Sequence, residues 1–203
     1  MARKFPDWIR AYMEYSRFSE APDKFHFWTA VSTIAGVLRR HVWIEMGYFQ
    51  WVPNFYIIFV APPGIVSKST TADIGMSMLR EIEGIKFGPS AVTWQSLVTS
   101  MADCREMFPL PNSDLMMPMS AITCVASELG TFLDTDDRKM IDALVDLWDG
   151  KQGAFTKGTK TQGHDIVENP WINIIGCTTP SWISNNVPEY MINGGFCSRC
   201  IFV

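Results

Sequence analysis

The feature that most constrains this chain is an unbroken apolar run that ends in a proline–glycine loop and leads to a lysine. Residues 55–60 read FYIIFV, with β-branched and aromatic side chains and no polar alternation. Such a run is typical of a strand buried on both faces, as in a parallel sheet covered by helices. The loop APPG follows, and beyond Lys68 apolar residues recur at helical spacing. The order of strand, tight loop and helix predicts one βα unit of an α/β fold.

Two later apolar runs repeat the character of the first. They span residues 121–126 and 171–176. Between them, residues 136–150 carry apolar side chains at helical spacing, and Gly150 is placed to end that helix. Strands that alternate with helices predict a three-layer α/β fold with a mainly parallel sheet.

The start of the chain predicts helices rather than sheet. Aromatic and aliphatic residues recur at helical spacing over residues 5–40. This stretch ends with Arg39 and Arg40, and a helix dipole favours cations at the C-terminal end of a helix. Residues 41–46, HVWIEM, are typical of a short strand. We therefore divide the chain into a helical lead-in, residues 1–48, and a core, residues 49–203.

Composition limits the classes of partner and compartment. The formal net charge of −4 gives no global basic field, so nucleic-acid binding would rest on a local patch or on charge added by oligomerisation. Five cysteines, an odd number, and an N-terminus without a signal-peptide core predict free thiols in a reducing cytoplasm. The least charged stretch, residues 49–66, contains three prolines and a glycine, which excludes a membrane-spanning helix there.

The loop before Lys68 has the chemistry of a phosphate-binding loop. Backbone N–H groups at a helix N-terminus wrap a phosphate, the lysine reaches the β- and γ-phosphates, and the next hydroxyl, here Ser69, holds magnesium. Pro62 and Ser67 occupy the two glycine positions of the consensus, so an ordinary Pro-Gly turn is the alternative interpretation. The predicted nucleotide contacts are Pro63, Gly64, Ile65, Val66, Ser67, Lys68, Ser69 and Thr70.

Polar residues follow the two later strands. Glu128 comes just after the second apolar run and is our candidate for the catalytic acid and a magnesium contact, although Ser127 stands where an aspartate is usual. The alternative is a solvated carboxylate at the start of a loop. Thr178 and Thr179 follow the third run and are candidates for sensing the γ-phosphate, with a routine turn as the alternative.

Arg199 lies after a glycine turn and before a hydrophobic strand. Ring-forming ATPases place an arginine finger there, which stabilises transition-state charge on a neighbouring subunit's nucleotide. The alternative is a surface arginine. Cys197 and Cys200 form a C-x-x-C pair, but a zinc site needs four ligands and no second pair lies near, so we interpret them as incidental thiols.

Taken in order, these motifs resemble the phage and prophage primase–helicase-like P-loop ATPases. The resemblance covers nearly the whole chain, through DKFHFWTAVSTIAGVLRRHVWI, VPNFYIIFVAPPG, ASELGTFL, DLWDG, NPWINIIGCTTPSWI and GGFCSRCIFV. It implies a RecA/AAA+-like, superfamily 3-like helicase core that uses ATP and Mg²⁺ in the replication of a phage or mobile element. It also implies a homo-oligomeric ring, with primase or other replication proteins as partners, in the host cytoplasm. Members of the family continue further, so we expect a truncated core.

The resemblance gives the candidate residues the same roles and adds one element. Residues 156–164 lie directly before the third apolar run, where superfamily 3 helicases carry a hairpin that projects into the pore of the ring. Repeated around a ring, Lys157 and Lys160 would follow the backbone of single-stranded DNA without reading bases. The alternative is a solvated, flexible loop.

Two other functions remain open at this point. The ATPase of a DNA-packaging motor shares the P-loop and the acidic strand, although it normally carries a separate nuclease domain. A nucleotide-binding assembly protein without turnover also fits, because Ser67 and Ser127 depart from the consensus in the loop and beside the acid.

Overall fold

One central sheet with helices on both faces forms the frame of the protein. The computed structural model describes residues 6–110, 114–159 and 163–203. Its helices are α1 (Trp8–Ser16), α2 (Asp23–Leu38), α3 (Lys68–Arg80), α4 (Trp94–Asp103), α5 (Leu129–Phe132), α6 (Arg138–Trp148), α7 (Pro180–Asn186) and α8 (Glu189–Asn193). Its strands are β1 (Ile44–Met46), β2 (Phe49–Trp51), β3 (Tyr56–Val60), β4 (Arg105–Pro109), β5 (Met116–Ala126), β6 (Ala154–Thr159), β7 (Gly163–Glu168), β8 (Pro170–Thr178) and β9 (Cys200–Phe202). This confirms the predicted α/β class.

The central sheet has the strand order β4-β5-β8-β3-β9. β5, β8, β3 and β9 run parallel to one another, and β4, at one edge of the sheet, pairs antiparallel with β5. The predicted mainly parallel sheet is thereby confirmed. The carboxyl ends of the four parallel strands meet at one side of the sheet, which we call the carboxyl edge; their starts form the amino edge.

The apolar run that suggested a doubly buried strand is β3, and its side chains alternate between two cores. Tyr56 and Ile58 pack in the core formed with α4, α5 and α6. Ile57 and Phe59 pack in the core formed with α2 and α3. The ring of Phe59 stacks on Phe25 of α2, with 4.3 Å between the centroids. Burial on both faces explains why this strand lacks polar alternation.

The helical lead-in shares its core with the rest of the chain. α2 packs on α3 through two glycines, Gly36 against Leu79 and Gly75 against Thr29 and Thr33. The predicted helical stretch is divided in two, because α1 ends at Ser16 and α2 begins at Asp23. Among the described residues, no helix has the length and apolar character needed to cross a membrane.

Arg40 has a different role from the one expected at a helix end. Its side chain is buried, and Nη1 donates hydrogen bonds to the carbonyl oxygens of Gly150, at 2.8 Å, and Pro170, at 3.0 Å. Burial lowers the pKa of the guanidinium to about 10. The arginine therefore ties the end of the lead-in to the amino edge of the sheet instead of serving the helix dipole.

The tight contact at Gly75 gives a test of the packing between α2 and α3. A Cβ at this position would lie 2.5 Å from both Thr29 Cγ2 and Thr33 Oγ1. Helix propensity alone favours alanine over glycine by about 1 kcal/mol. Because the core must shift to admit the methyl group, we expect Gly75→Ala to lower the free energy of unfolding by about 1–3 kcal/mol.

Urea unfolding monitored by circular dichroism measures this change. The control is Ser77→Ala on the exposed side of the same helix, for which we expect a change within about 0.5 kcal/mol. A Gly75→Ala variant more stable than the unsubstituted chain would contradict the packing.

Candidate functional site

The site is built on the loop that joins β3 to α3. Gly64 lies in this loop with φ of +73°, a left-handed conformation that favours glycine. No described atom lies within 4 Å of a Cβ built there, so the glycine is required by the turn and not by crowding.

Lys68 is the first residue of α3, and its ammonium lies over its own loop. Nζ donates to the carbonyl oxygen of Ala61 at 2.7 Å and to that of Pro62 at 3.3 Å. In the described structure the N-cap residue, Ser67, makes no side-chain hydrogen bond to the first turn. Among the first four amides of α3, that of Lys68 donates to the Val66 carbonyl and that of Thr71 to the Ser67 carbonyl, both at 2.9 Å. In the described structure the amides of Ser69 and Thr70 have no acceptor, so they are available to an external one, and the helix dipole favours an anion there.

The strand register brings the other candidate residues to the same edge. Val60, the last residue of β3, pairs with Thr178, the last residue of β8. β5 lies on the far side of β8, and its last residue, Ala126, pairs with Gly176. Glu128 follows Ala126 by two residues and is the N-cap of α5. In the described structure its side chain makes no hydrogen bond to that helix.

Cys177 of β8 is a buried thiol near the carboxyl edge. It lies beside Phe59 in the register, and burial raises its pKa to about 12. The charge of Lys68 lowers the pKa of this thiol, whereas Asp73 and Glu128 raise it. The candidate lysine and the candidate acid therefore both influence this thiol, in agreement with the register that brings the ends of their strands to one edge.

Thr178, the last residue of β8, and Thr179, which follows it, are not equivalent. Thr178 is fully buried, and its Oγ1 has no hydrogen-bond partner among the residues the structure describes. Thr179 is the N-cap of α7: its Oγ1 accepts from the amide of Trp182 at 3.1 Å and lies 3.0 Å from Ser181 Oγ. Thr179 thus serves as a helix cap, whereas the buried hydroxyl of Thr178 has no described partner, which distinguishes two residues that the sequence left equal.

Two residues at this edge are of the types that bind a phosphate-bound cation. Mg²⁺ is usually held by one or two carboxylates together with substrate phosphates and waters. Glu128 supplies a carboxylate, and Ser69, the second residue of α3, supplies a hydroxyl. Within the described residues no cluster of three or more His, Cys, Asp or Glu is present.

Arg199 lies away from this group within the chain, at the amino edge before β9. Its Nε and Nη2 donate to Asp149 Oδ1 at 3.0 and 2.6 Å, and Nη1 donates to the Gly195 carbonyl at 2.9 Å. The guanidinium also lies 5.4 Å from the centroid of the Trp148 ring. Its side chain is 21% exposed, so it is held by its own subunit rather than projecting freely.

The predicted basic hairpin is an antiparallel ribbon of β6 and β7 outside the central sheet. The ribbon is joined to the body by Thr99 Oγ1, which donates to Asp165 Oδ2 at 2.7 Å, and by an ion pair between Arg105 and Glu168. Lys157 lies in β6, opposite Asp165 in the register. Lys160 lies outside the described residues.

The two thiols of the C-x-x-C pair, Cys197 and Cys200, are free and partly buried. Burial raises the pKa of both. A raised pKa disfavours the thiolate that binds metals and attacks substrates. The interpretation as incidental thiols is therefore retained.

A set of polar contacts that the sequence did not indicate connects the N-terminal helices to the start of α3. Ser19, in the connection between α1 and α2, lies 3.0 Å from His26 Nε2 and 3.4 Å from Thr71 Oγ1. Thr71 Oγ1 in turn donates to the Ser67 carbonyl at 2.8 Å. Ser19 and Thr71 are 52 positions apart in the chain, so no local motif indicates their contact.

A comparison of the chain with protein-family models gives no match, and a comparison with curated proteins gives none either. The account of the site therefore depends on the geometry and chemistry of the residues themselves.

The buried histidine behind the loop predicts a pH dependence of stability. Burial, the dominant influence, lowers the pKa of His26, whereas Asp23 and the Ala21 backbone raise it. The unfolded chain takes up a proton near the ordinary pKa of about 6.5, and the folded chain does so only at lower pH. Stability is therefore fully present above about pH 6.5 and falls as the pH is lowered through that value.

Thermal unfolding between pH 8 and pH 5 measures this loss. Burial also lowers the pKa of His41, so the unsubstituted chain reports on both histidines. We expect His26→Gln to lose less stability than the unsubstituted chain over the same range, because the titrating group is gone. An equal loss in the two proteins would show that His26 does not contribute.

Proposed function

We propose that this chain is the ATP-binding and ATP-hydrolysing core of a P-loop motor, a DNA helicase or translocase that works in the replication of a phage or mobile element. The observation that carries the proposal is the common edge: the uncapped start of α3 with Lys68, the carboxylate of Glu128 and the unbonded hydroxyl of Thr178 all follow parallel strands. Open α/β sheets bind their ligands in the crevice at the carboxyl ends of the strands.

Nucleotide binding uses the loop and the helix that follows it. The phosphates lie against the amides of Ser69 and Thr70 at the start of α3, where the helix dipole favours negative charge. Lys68 changes its hydrogen-bond acceptors from the carbonyl oxygens of Ala61 and Pro62 to the β- and γ-phosphate oxygens. An ammonium group binds an anionic oxygen more strongly than it binds a neutral carbonyl oxygen. The hydroxyl of Ser69, the second residue of α3, would be a ligand for magnesium bound with the nucleotide.

Hydrolysis uses residues at the carboxyl ends of β8 and β5. Glu128 orients a water molecule for in-line attack on the γ-phosphate and accepts its proton, and Thr178 donates a hydrogen bond to a γ-phosphate oxygen. Magnesium bound with the nucleotide would reduce the negative charge of the phosphates. β8 separates β3 from β5, so the carboxylate after β5 lies one strand away from the phosphate loop.

Arg199 completes the reaction only from a neighbouring subunit in this proposal. It lies at the amino edge, whereas Lys68 lies at the carboxyl edge of the same chain. Its pairing with Asp149 sets the guanidinium in one orientation, and one Nη1 proton is used by the Gly195 carbonyl. A homo-oligomeric ring would bring it to a second chain's nucleotide, with the β6–β7 ribbon and Lys157 toward single-stranded DNA.

A nucleotide-binding assembly protein without turnover is the second candidate. The observation that favours it is the residue beside the acid: Ser127 carries no charge, so Glu128 alone supplies the carboxylate at this edge after β5. Binding depends on Lys68 and the start of α3, and these are the same in both candidates.

The lysine gives the first test of the proposal. Hydrogen bonds to a charged group contribute about 1.5–3 kcal/mol, so we expect Lys68→Ala to weaken ATP binding by about ten- to a hundredfold. Isothermal titration calorimetry with ATP and Mg²⁺ measures the change. Lys139→Ala, at an exposed position on α6, is the control and should bind as the unsubstituted chain does. Equal affinity in all three proteins would contradict the site.

Turnover separates the two candidates once binding is established. Removing a general base costs about 10²–10⁴ in rate, so Glu128→Gln should bind ATP normally and hydrolyse it at least a hundredfold more slowly. Phosphate release with and without single-stranded DNA measures the rate. DNA-stimulated release that both Lys68→Ala and Glu128→Gln abolish supports the motor; tight binding with no release by the unsubstituted chain supports the second candidate.

A further inference from the structure

A series of polar side chains connects the helical lead-in to the phosphate loop. His26 on α2 and Thr71 on α3 are buried, and Ser19, between α1 and α2, lies within hydrogen-bond distance of both. Thr71 in turn bonds the carbonyl of Ser67, the residue directly before α3. We call these three side chains and the Ser67 carbonyl the relay. Buried polar groups are costly unless they are hydrogen-bonded, so each hydrogen of the relay can be assigned to a partner.

Thr71 fixes the direction of the relay. A hydroxyl has one hydrogen to donate and two lone pairs that accept. Thr71 Oγ1 donates its hydrogen to the Ser67 carbonyl at 2.8 Å. At the 3.4 Å contact with Ser19 Oγ the threonine oxygen can therefore only accept, so the hydroxyl of Ser19 donates. This contact is the longest of the relay and its weakest bond.

Ser19 extends the same direction to His26. Its one hydrogen goes to Thr71, so at the 3.0 Å contact the serine oxygen accepts and His26 Nε2 donates. Ser19 Oγ also accepts from the amide of Ala21 at 3.5 Å, which uses its second lone pair. Every hydrogen of the relay then points from the histidine toward the Ser67 carbonyl.

The other ring nitrogen of His26 agrees with this assignment. A neutral imidazole carries one hydrogen, and its position is inferred from the partners of the two nitrogens. Among the described residues Nδ1 has no hydrogen-bond partner, whereas Nε2 has Ser19. Protonation adds a hydrogen at Nδ1 and leaves the Nε2 donor in place. The relay therefore keeps its direction when the histidine titrates.

The Ser67 carbonyl is the point where the relay meets the phosphate loop. It accepts from Thr71 Oγ1 at 2.8 Å and from the Thr71 amide at 2.9 Å, so both of its lone pairs are used. Two bonds to one carbonyl fix the plane of the peptide that joins Ser67 to Lys68. The unbonded amides of Ser69 and Thr70 follow directly after that peptide. The relay thus ends next to the donors that we assign to the phosphates.

We propose that Ser19 and His26 are positioning residues for the phosphate loop. Acting through Thr71, they hold the Ser67 carbonyl in the orientation that directs the following amides toward a phosphate. The relay itself rests on the contacts above; its consequence for ATP rests on the proposed function. Because coupling between two sites is reciprocal, a nucleotide that binds at the loop also stabilises the relay.

Substitution of the Thr71 hydroxyl tests the positioning. Thr71→Val removes the hydroxyl and keeps the branched shape, whereas Thr71→Ser keeps the hydroxyl. From the net contribution of one hydrogen bond, we expect Thr71→Val to weaken ATP binding about three- to tenfold. Thr71→Ser should bind as the unsubstituted chain does, and Ser19→Ala should weaken binding. Isothermal titration calorimetry with ATP and Mg²⁺ measures the affinities.

Thr33→Val is the matched control. Thr33 is a buried threonine of α2 whose Oγ1 donates to the Thr29 carbonyl, four residues earlier, at 2.9 Å. Its substitution removes the same kind of bond that Thr71 makes, but at a carbonyl outside the phosphate loop, so ATP binding should not change. Equal weakening by Thr33→Val and Thr71→Val would show a general loss of packing and contradict the positioning.

The tautomer of His26 tests the relay without a nucleotide. The ¹⁵N chemical shifts of a labelled histidine ring distinguish the two neutral tautomers, and the signals lost in His26→Gln assign this ring. At pH 8 we expect the hydrogen on Nε2. A hydrogen on Nδ1 would overturn the relay, because Ser19 would then donate to the histidine and its contact with Thr71 would contain no hydrogen.

The ATP measurements distinguish the positioning from the proposed function. If Lys68→Ala weakens ATP binding but Thr71→Val binds as the unsubstituted chain does, the positioning is wrong and the proposed function stands. If the unsubstituted chain does not bind ATP, the proposed function is wrong, and amide exchange over residues 67–70 decides the positioning. Faster exchange in Thr71→Val than in Thr71→Ser then supports the positioning, and equal exchange overturns it.

Discussion

The parallel pairing of β3 with β8 is the constraint on which the rest of the structure depends. Because the two strands run in the same direction, the phosphate-loop candidate after β3 and the threonines after β8 emerge at one edge. β5 adds Glu128 to that edge from the other side of β8. The pairing is possible because β3 and β8 are apolar on both faces, and α2, α3, α4 and α6 cover those faces. The site is thus a consequence of a buried parallel sheet.

Local sequence patterns predicted the strands and helices that bury most of their surface. The apolar runs located β3, β5 and β8, and helical spacing located α3 and α6. The patterns missed β2, α4 and β4. β2 and β4 are short and largely exposed. α4 has ten residues, and its capping box of Thr93 with Ser96 has a serine where glutamate or glutamine is usual. An exposed ribbon such as β1–β2 has no core to impose an alternating pattern, so its pairing becomes visible only in three dimensions.

The candidate site divides in the same way between local and long-range information. Lys68 and Glu128 follow recognisable strand ends, so the sequence indicated both. The difference between Thr178 and Thr179 depends on which hydroxyl caps α7, and the burial of Arg40 depends on carbonyl groups more than one hundred positions away. The pairing of Arg199 with Asp149 spans fifty positions. Contacts of this kind follow from topology and leave no periodic signal in the sequence.

The central claim is that a nucleotide binds at the start of α3, and amide hydrogen exchange with and without ATP and Mg²⁺ tests it most directly. The unbonded amides of Ser69 and Thr70 exchange readily until an acceptor protects them. We predict slower exchange over residues 64–70 when ATP is present, with little change in the exposed ribbon at residues 44–51. Exchange over residues 64–70 that ATP leaves unaltered would contradict it.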